Sequence, residues 1–140
     1  MKRKPNLPEG YEYVSEGRGS HDVMIKTAVK EEILAKADKN QRAELEELIM
    51  RFCAGGPTCI PRTKLNGQEG WFPGERAPGK VRLQAFKPWQ LRAYGFIKSA
   101  NGRPTYIITG ADCSKKSDRA KQTVLRSAGA EAYRVSKEIK

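Results

Sequence analysis

The sequence predicts an α+β domain in which helices pack on one face of a small antiparallel sheet. Three observations favour this class: one helix pattern with a clear cap, a run of alternating strands with a hairpin turn, and a second helix pattern at the end. With 140 residues, of which 38% are apolar, the chain is long enough for one core and too short for two. The predicted order is strand, helix, helix, strands, helix.

The N-terminal part divides into a tail and the start of the domain. Residues 1–10 combine basic side chains with two prolines and a glycine, which predicts a flexible basic leader before a single domain at 11–140. Tyr11 to Val14 is predicted to form a strand. Val23 to Ile33 shows both alternation and helical spacing, and we interpret it as a strand running into a short helix.

The clearest helix follows. Asp38 and Gln41 have the spacing of a capping box, and Gly55 with Gly56 supplies a stop. Apolar residues repeat on one face at Leu45, Leu48, Ile49 and Phe52. The acidic residues of the other face are interpreted as a solvated surface rather than catalytic carboxylates.

The second half predicts a loop and then a meander of strands. Residues Pro57 to Pro78 are rich in proline and glycine without a sustained period, which indicates a long loop. Strands are predicted at Val81 to Phe86, Trp89 to Lys98 and Thr105 to Thr109, and Asn101-Gly102 marks a hairpin between the last two.

Alternation in the middle strand predicts which side chains are presented outward. The face predicted to pack on helices contains Trp89, Leu91, Ala93, Gly95 and Ile97. The face predicted to point outward contains Gln90, Arg92, Tyr94, Phe96 and Lys98. A last helix is expected to begin at a cap on Ser117 or Asp118 and to bury Val124, Leu125, Ala128 and Ala132.

All of the excess positive charge lies in the second half. Residues 1–75 contain 12 basic residues (Lys and Arg) and 12 acidic residues (Asp and Glu). Residues 76–140 contain 15 basic and 4 acidic residues, which accounts for the net charge of +11. In that half, basic residues are interleaved with aromatic ones, a mixture that can hold phosphates and stack on bases. Nucleic acid, with RNA first, is therefore the predicted partner.

Other classes of function are disfavoured. Three cysteines without a C-x-x-C pair and a single histidine, His21, supply neither a disulfide framework nor a zinc site, so we expect a cytoplasmic protein without metal or cofactor. No apolar run approaches the length of a membrane span.

Two stretches of the second half form a recognisable pattern: Lys87 to Phe96, with a W-x-L-R strand, and Tyr106 to Ala120, in which an apolar strand leads to a Lys-Lys turn and a closing helix. This pattern resembles the RelE/ParE toxin superfamily, in its HigB-like, phage-derived branch. Leu45 to Gly56 is also similar to the family's helix ending in F-x-x-G-G. The resemblance covers roughly residues 11–137. The chain departs from the family pattern in its long loop, its basic leader and the absence of a proline opening the last helix.

This resemblance implies a compact toxin that enters the ribosomal A site and cleaves mRNA, restrained by a cognate antitoxin encoded beside it. Some relatives poison DNA gyrase instead. Two alternatives therefore stay open beside a ribosome-dependent endoribonuclease. They are a non-catalytic RNA- or ribosome-binding protein on the same fold, and a ParE-like gyrase inhibitor.

The candidate catalytic residues are Arg92, Lys87 and Tyr94. RNA cleavage by the 2′-hydroxyl needs proton removal, stabilisation of the phosphorane oxygens and protonation of the leaving oxygen. With one histidine, Arg and Lys must carry most of the effect: Arg92 would hold the scissile phosphate with its planar fork, and Lys87 would exchange protons. Tyr94 would stack on a base or supply a hydroxyl, against the alternative that it is a packing residue.

Five further residues are predicted to contact nucleic acid: Lys80, Arg82, Lys98, Lys115 and Lys116. The lysine pair Lys115-Lys116 lies at the turn before the last helix, where a solvated turn is the alternative. Trp89 is predicted to lie in the core, and Asp112 is interpreted as a turn or capping residue rather than an acid or base.

Overall fold

The computed structural model describes residues 7–113 and 122–139 and has an α+β fold with a six-stranded mixed sheet and three helices. The strands are β1 (Tyr11–Ser15), β2 (Asp22–Lys26), β3 (Leu65–Phe72), β4 (Val81–Phe86), β5 (Arg92–Ala100) and β6 (Arg103–Asp112). The helices are α1 (Thr27–Lys36), α2 (Lys39–Gly55) and α3 (Gln122–Ser136), and a single 3-10 turn spans Pro57–Cys59.

The sheet order is β1-β2-β6-β5-β4-β3, so β2 from the first third of the chain lies beside β6 from the last third. Every neighbouring pair is antiparallel except β2 and β6, which run parallel. The predicted all-antiparallel sheet is therefore wrong at this pair. Parallel strands need a long crossover, and α1, α2 and the later strands provide it, a long-range feature that local periodicity does not carry.

Helices cover both faces of the sheet, which corrects the prediction that they pack on one face. On one side α1 and α2 pack over a cluster that includes Val23, Leu48, Phe52 and Tyr106. On the other side α3 packs over a cluster that includes Tyr94, Phe96, Ile107 and Val135. The central strand β6 shows the reason: Tyr106, Ile107 and Ile108 are consecutive and all fully buried, as in a strand covered on both faces.

The predicted helix and hairpin signals are confirmed. The Gln41 amide donates to Asp38 Oδ1 at 2.8 Å and the Asp38 amide donates to Gln41 Oε1 at 3.0 Å, which completes the capping box. Helix α2 ends at Gly55, and Gly56 follows with a φ of 82°. At the hairpin between β5 and β6, Asn101 and Gly102 have φ values of 54° and 78°, as a tight turn requires.

The predicted long loop from Pro57 to Pro78 is wrong in its middle, where β3 forms the sheet edge and pairs antiparallel with β4. Its register shifts between Asn66 and Gly70. A glycine-containing bulge interrupts the alternation that marks a strand, so the sequence pattern hides this edge strand.

At the chain ends the structure describes part of what was predicted. Leu7, inside the segment predicted as a leader, packs against the α3-side cluster, and residues 1–6 lie outside the described residues. In α3, Ala128 and Ala132 are buried as predicted, whereas the predicted caps Ser117 and Asp118 lie outside the described residues. No helix in the described ranges is long and apolar enough to cross a membrane.

Candidate nucleic-acid interface

The face of β5 predicted to point outward is covered by α3. Tyr94 is fully buried and Phe96 is 2% exposed, and both belong to the cluster that contains Ala128 and Val135 of α3. The predicted alternation of β5 is confirmed, since Ala93 belongs to the opposite cluster. The prediction that Tyr94 lies on an open surface is wrong, because α3 covers this face of the sheet. The prediction had placed all of the helices on the other face.

Tyr94 brings a polar group into this apolar layer. Its hydroxyl has no hydrogen-bond partner among the described residues. Burial is the main cause that raises the pKa of Tyr94, the carboxylates of Glu69 and Asp112 raise it further, and Arg92 opposes them. The phenol is therefore neutral at physiological pH, and these three charged side chains lie near it.

Arg92 is half-buried at the start of β5, and its backbone partner across the sheet is Asp112, the last residue of β6. Asp112 is only 5% exposed. Asp112 lies in β6 and not in a turn, because β6 extends past Thr109 and ends with this carboxylate inside the fold. Arg92 at the start of β5 thus lies opposite Asp112 at the end of β6.

Lys87 joins the same region from the end of β4. Its Nζ lies 3.7 Å from Glu69 Oε2, and the two side chains are 24% and 10% exposed. We call Glu69, Lys87, Arg92, Tyr94 and Asp112 the charged cluster. It contains all three predicted catalytic residues together with two carboxylates, Glu69 and Asp112, that were not predicted to be catalytic. Glu69 was missed because it lies in the segment predicted to be a loop.

A second feature lies where β4 and β5 part. The two strands pair only from Gln84 to Phe86, opposite Gly95 to Ala93. Beyond that point they open into a groove lined by Trp71, Gly79, Lys80, Val81, Arg82, Gln84, Phe96, Ile97, Lys98 and Ser136. We call it the basic groove. It brings together three of the five residues predicted to contact nucleic acid, and none of its described lining residues is acidic.

Trp71 stands at this groove and was not singled out from the sequence. The neighbouring Phe72 packs against Gly129 of α3, so the alternation of β3 directs Trp71 to the opposite face. Helices α1 and α2 pack mainly over β1, β2 and β6, and the cluster beneath α2 also includes Leu65 of β3 and Phe86 of β4. The Trp71 ring is 38% exposed, with Lys80 Nζ at 4.6 Å and Arg82 Cζ at 5.8 Å from its centroid.

The remaining predicted contacts differ in how they are held. Lys98 donates from Nζ to the Ser136 carbonyl at 2.7 Å, at the C-terminal end of α3, where a cation is favoured. Lys115 and Lys116 lie outside the described residues. Trp89, predicted to lie in the core, is 65% exposed with a φ of 56°, because it precedes β5 in a turn instead of opening the strand.

Comparisons of the chain with protein-family models, with curated proteins and with solved structures find no match. Within residues 7–113 and 122–139, no three His, Cys, Asp or Glu side chains are grouped so that they could hold a metal ion. The fold and the site together define an α+β protein with an aromatic and basic groove at one part of its sheet and a charged cluster at another.

Proposed function

We propose that this protein is a toxin-type endoribonuclease that cleaves mRNA at the ribosome through its own side chains. The observation that carries the proposal is the charged cluster, in which a half-buried arginine, a lysine and two carboxylates surround the ends of β4, β5 and β6. Groups of both signs in one partly desolvated place are what proton transfer and charge stabilisation require.

In this reaction the 2′-oxygen attacks the phosphorus, the new P–O bond forms, and the bond to the 5′-oxygen breaks. A carboxylate, Glu69 or Asp112, accepts the proton of the 2′-hydroxyl, and the Lys87 ammonium gives a proton to the departing 5′-oxygen. Arg92 stabilises the negative charge on the phosphorane oxygens with its planar guanidinium. Tyr94 is buried, so it packs in the layer under α3 instead of stacking on a base.

The resemblance to the RelE/ParE superfamily supports the proposal and extends it. It adds mRNA on the ribosome as the substrate, a cognate antitoxin as the protein partner and the cytoplasm as the place of action. The basic groove supports a polyanionic partner independently, because Lys80 and Arg82 flank an exposed aromatic ring.

The test is induced expression of wild type and Arg92→Ala, with growth curves and mapping of mRNA 5′ ends. We expect wild type to arrest growth and to create cuts within translated codons, and Arg92→Ala to lose about 100-fold or more in cleavage. Arg51→Ala is the matched control, since Arg51 is exposed on α2 and pairs with Glu47 at 2.7 Å. Intact messages and normal growth with wild type would contradict the proposal.

A second candidate is a non-catalytic RNA- or ribosome-binding protein on the same fold. Two observations favour it: Lys87 lies beside Glu69, and the Tyr94 hydroxyl is enclosed. This protein would bind RNA with strong salt dependence and leave it intact. In the same expression experiment, ribosome association without new 5′ ends would indicate this candidate, and DNA cleavage complexes would indicate a gyrase inhibitor.

A further inference from the structure

The basic groove has the components of a site that stacks a nucleobase. Trp71 presents part of its indole ring to solvent on the edge strand β3. Stacking on an exposed aromatic ring is tolerant of sequence, because every base has a π-face. The floor of the groove beside the ring is apolar, with Phe96 and Ile97 among its lining residues.

The cations of the groove are arranged for phosphates on either side of a stacked base. Lys80 and Arg82 both approach the Trp71 ring, and neither forms an ion pair with a carboxylate among the described residues. The described contact of Lys80 is a hydrogen bond from its Nζ to the backbone carbonyl of Glu75, which leaves its positive charge uncompensated. Both cations lie over the Trp71 ring, so a base that stacks there takes their place and they contact the adjoining phosphates instead.

We propose that the basic groove is a binding site for single-stranded nucleic acid, in which a base stacks on Trp71 and the adjoining phosphates contact Lys80 and Arg82. Uncompensated positive charge and an exposed indole fit this ligand better than an acidic peptide, which offers carboxylates but no flat ring. The choice of RNA over DNA as the ligand rests on the proposed function, whereas the stacking site itself does not.

The two tryptophans make the site directly measurable. The chain contains Trp71 and Trp89 only, so Trp89→Phe leaves Trp71 as the sole indole fluorophore and Trp71→Leu leaves Trp89. Trp89 is the matched control because it is also exposed and also lies near a lysine, with Lys64 Nζ 5.8 Å from its ring centroid. Each variant is titrated with oligouridylate, with oligothymidylate and with polyglutamate.

We expect oligouridylate to quench Trp71 fluorescence in Trp89→Phe and to bind it as tightly as wild type. In Trp71→Leu, affinity measured by anisotropy of labelled oligouridylate falls about tenfold, as removal of one stacking ring predicts. A second variant combines Lys80→Gln and Arg82→Gln with Trp89→Phe. It keeps the Trp71 ring and is expected to bind oligouridylate more weakly than Trp89→Phe, so the test does not depend on whether Trp71→Leu folds.

Equal affinities of Trp71→Leu and Trp89→Phe, or quenching of Trp89 in place of Trp71, would overturn the site. Polyglutamate bound as tightly as oligouridylate would show a general anion surface and also overturn it. Preference for oligothymidylate would keep the stacking site and reject RNA as its ligand. If oligouridylate binds and quenches Trp71 but no mRNA is cleaved, the stacking site stands and the endoribonuclease is rejected. If Trp71→Leu cleaves mRNA like wild type and oligouridylate does not quench Trp71 in Trp89→Phe, the endoribonuclease stands and the stacking site is rejected.

Discussion

Tyr94 is the residue at which burial and polarity conflict most directly. Its ring fills the layer beneath α3, while its hydroxyl has no partner among the described residues and lies near three charged side chains. A buried hydroxyl without a partner costs roughly 1–3 kcal/mol of stability. Removal of the hydroxyl alone therefore measures what this unpaired group costs the fold while the ring keeps its packing.

Tyr94→Phe is expected to raise the free energy of unfolding by about 1 kcal/mol, because the ring keeps its packing and the unsatisfied hydroxyl is lost. Urea unfolding of wild type and variant gives this difference. Tyr106→Phe is the control with the opposite expectation, since the Tyr106 hydroxyl donates to the Ala93 carbonyl at 3.0 Å and its loss leaves that bond unmade. A drop in stability for Tyr94→Phe would reveal a hydrogen-bond partner for the hydroxyl.

The two tryptophans show what alternation can and cannot predict for single residues. Alternation extended back along the predicted strand placed Trp89 in the core. In the structure β5 begins only at Arg92, and Trp89 lies in the preceding turn with a positive φ and an exposed ring. Trp71 carried no periodic signal because β3 is bulged. Its position near Lys80 and Arg82 follows from strand pairing, which brings Trp71 opposite Arg82. Local sequence holds no record of such a pairing.

Helix α3 is the element that decides which surfaces of the sheet remain open, and polar contacts fix it in place. Tyr11 donates from its hydroxyl to Glu131 Oε2 at 2.8 Å, and Lys26 Nζ lies 3.5 Å from the same oxygen. Three residues earlier in α3, the Ala128 carbonyl accepts a hydrogen bond from the Thr109 hydroxyl at 2.8 Å. Glu131 thus ties α3 to both β1 and β2.

Glu131→Gln is expected to lower the free energy of unfolding by roughly 1 kcal/mol at neutral pH and to flatten its dependence on acid. Burial by itself raises the pKa of Glu131, but hydrogen bonds from Arg134 and Tyr11 and the charge of Lys26 lower it below the ordinary 4.5. A lowered folded-state pKa gives stability that is present above the unfolded value and is lost as the pH falls through the folded value.

Urea unfolding at several pH values from neutral to about pH 3 tests this expectation. Wild type should lose stability below about pH 4.5 more steeply than Glu131→Gln. Glu47→Gln is the matched control, since Glu47 is 61% exposed at its side chain and its pair with Arg51 lies within one helix. Parallel curves for wild type and Glu131→Gln would contradict the assigned role.

The capping box of α2 is the element that the sequence predicted most completely. Asp38→Ala removes the carboxylate that accepts from the Gln41 amide, and is expected to cost about 1 kcal/mol in thermal or urea unfolding. Asn40→Ala serves as the comparison, because Asn40 is exposed within the same first turn. The prediction fails if the two variants unfold alike. A capping box depends on two residues three positions apart, which is why the sequence alone could reveal it.

At the scale of the whole molecule, the excess of positive charge predicts RNA affinity that depends strongly on salt. For single strands, log K falls with log salt at a slope of about −0.7 for each phosphate contacted. Lys80→Gln with Arg82→Gln should therefore make the slope shallower by about 1.4, measured by anisotropy of labelled oligouridylate over a range of NaCl concentrations. Lys36→Gln with Arg51→Gln, on α1 and α2, should leave it unchanged.

By itself, the sequence determined the α+β class, the cap and end of α2, the hairpin at Asn101-Gly102, the alternation of β5 and the charged second half. These depend on spacings within one element or on composition. Only the tertiary structure decided that β2 runs parallel to β6, that α3 covers Tyr94, and that Glu69 meets Lys87 while Trp71 meets Lys80 and Arg82. Each of these contacts joins residues from different elements. Contacts between segments that are distant in sequence stabilise the fold without producing a periodic pattern within either segment, so the sequence pattern does not reveal them.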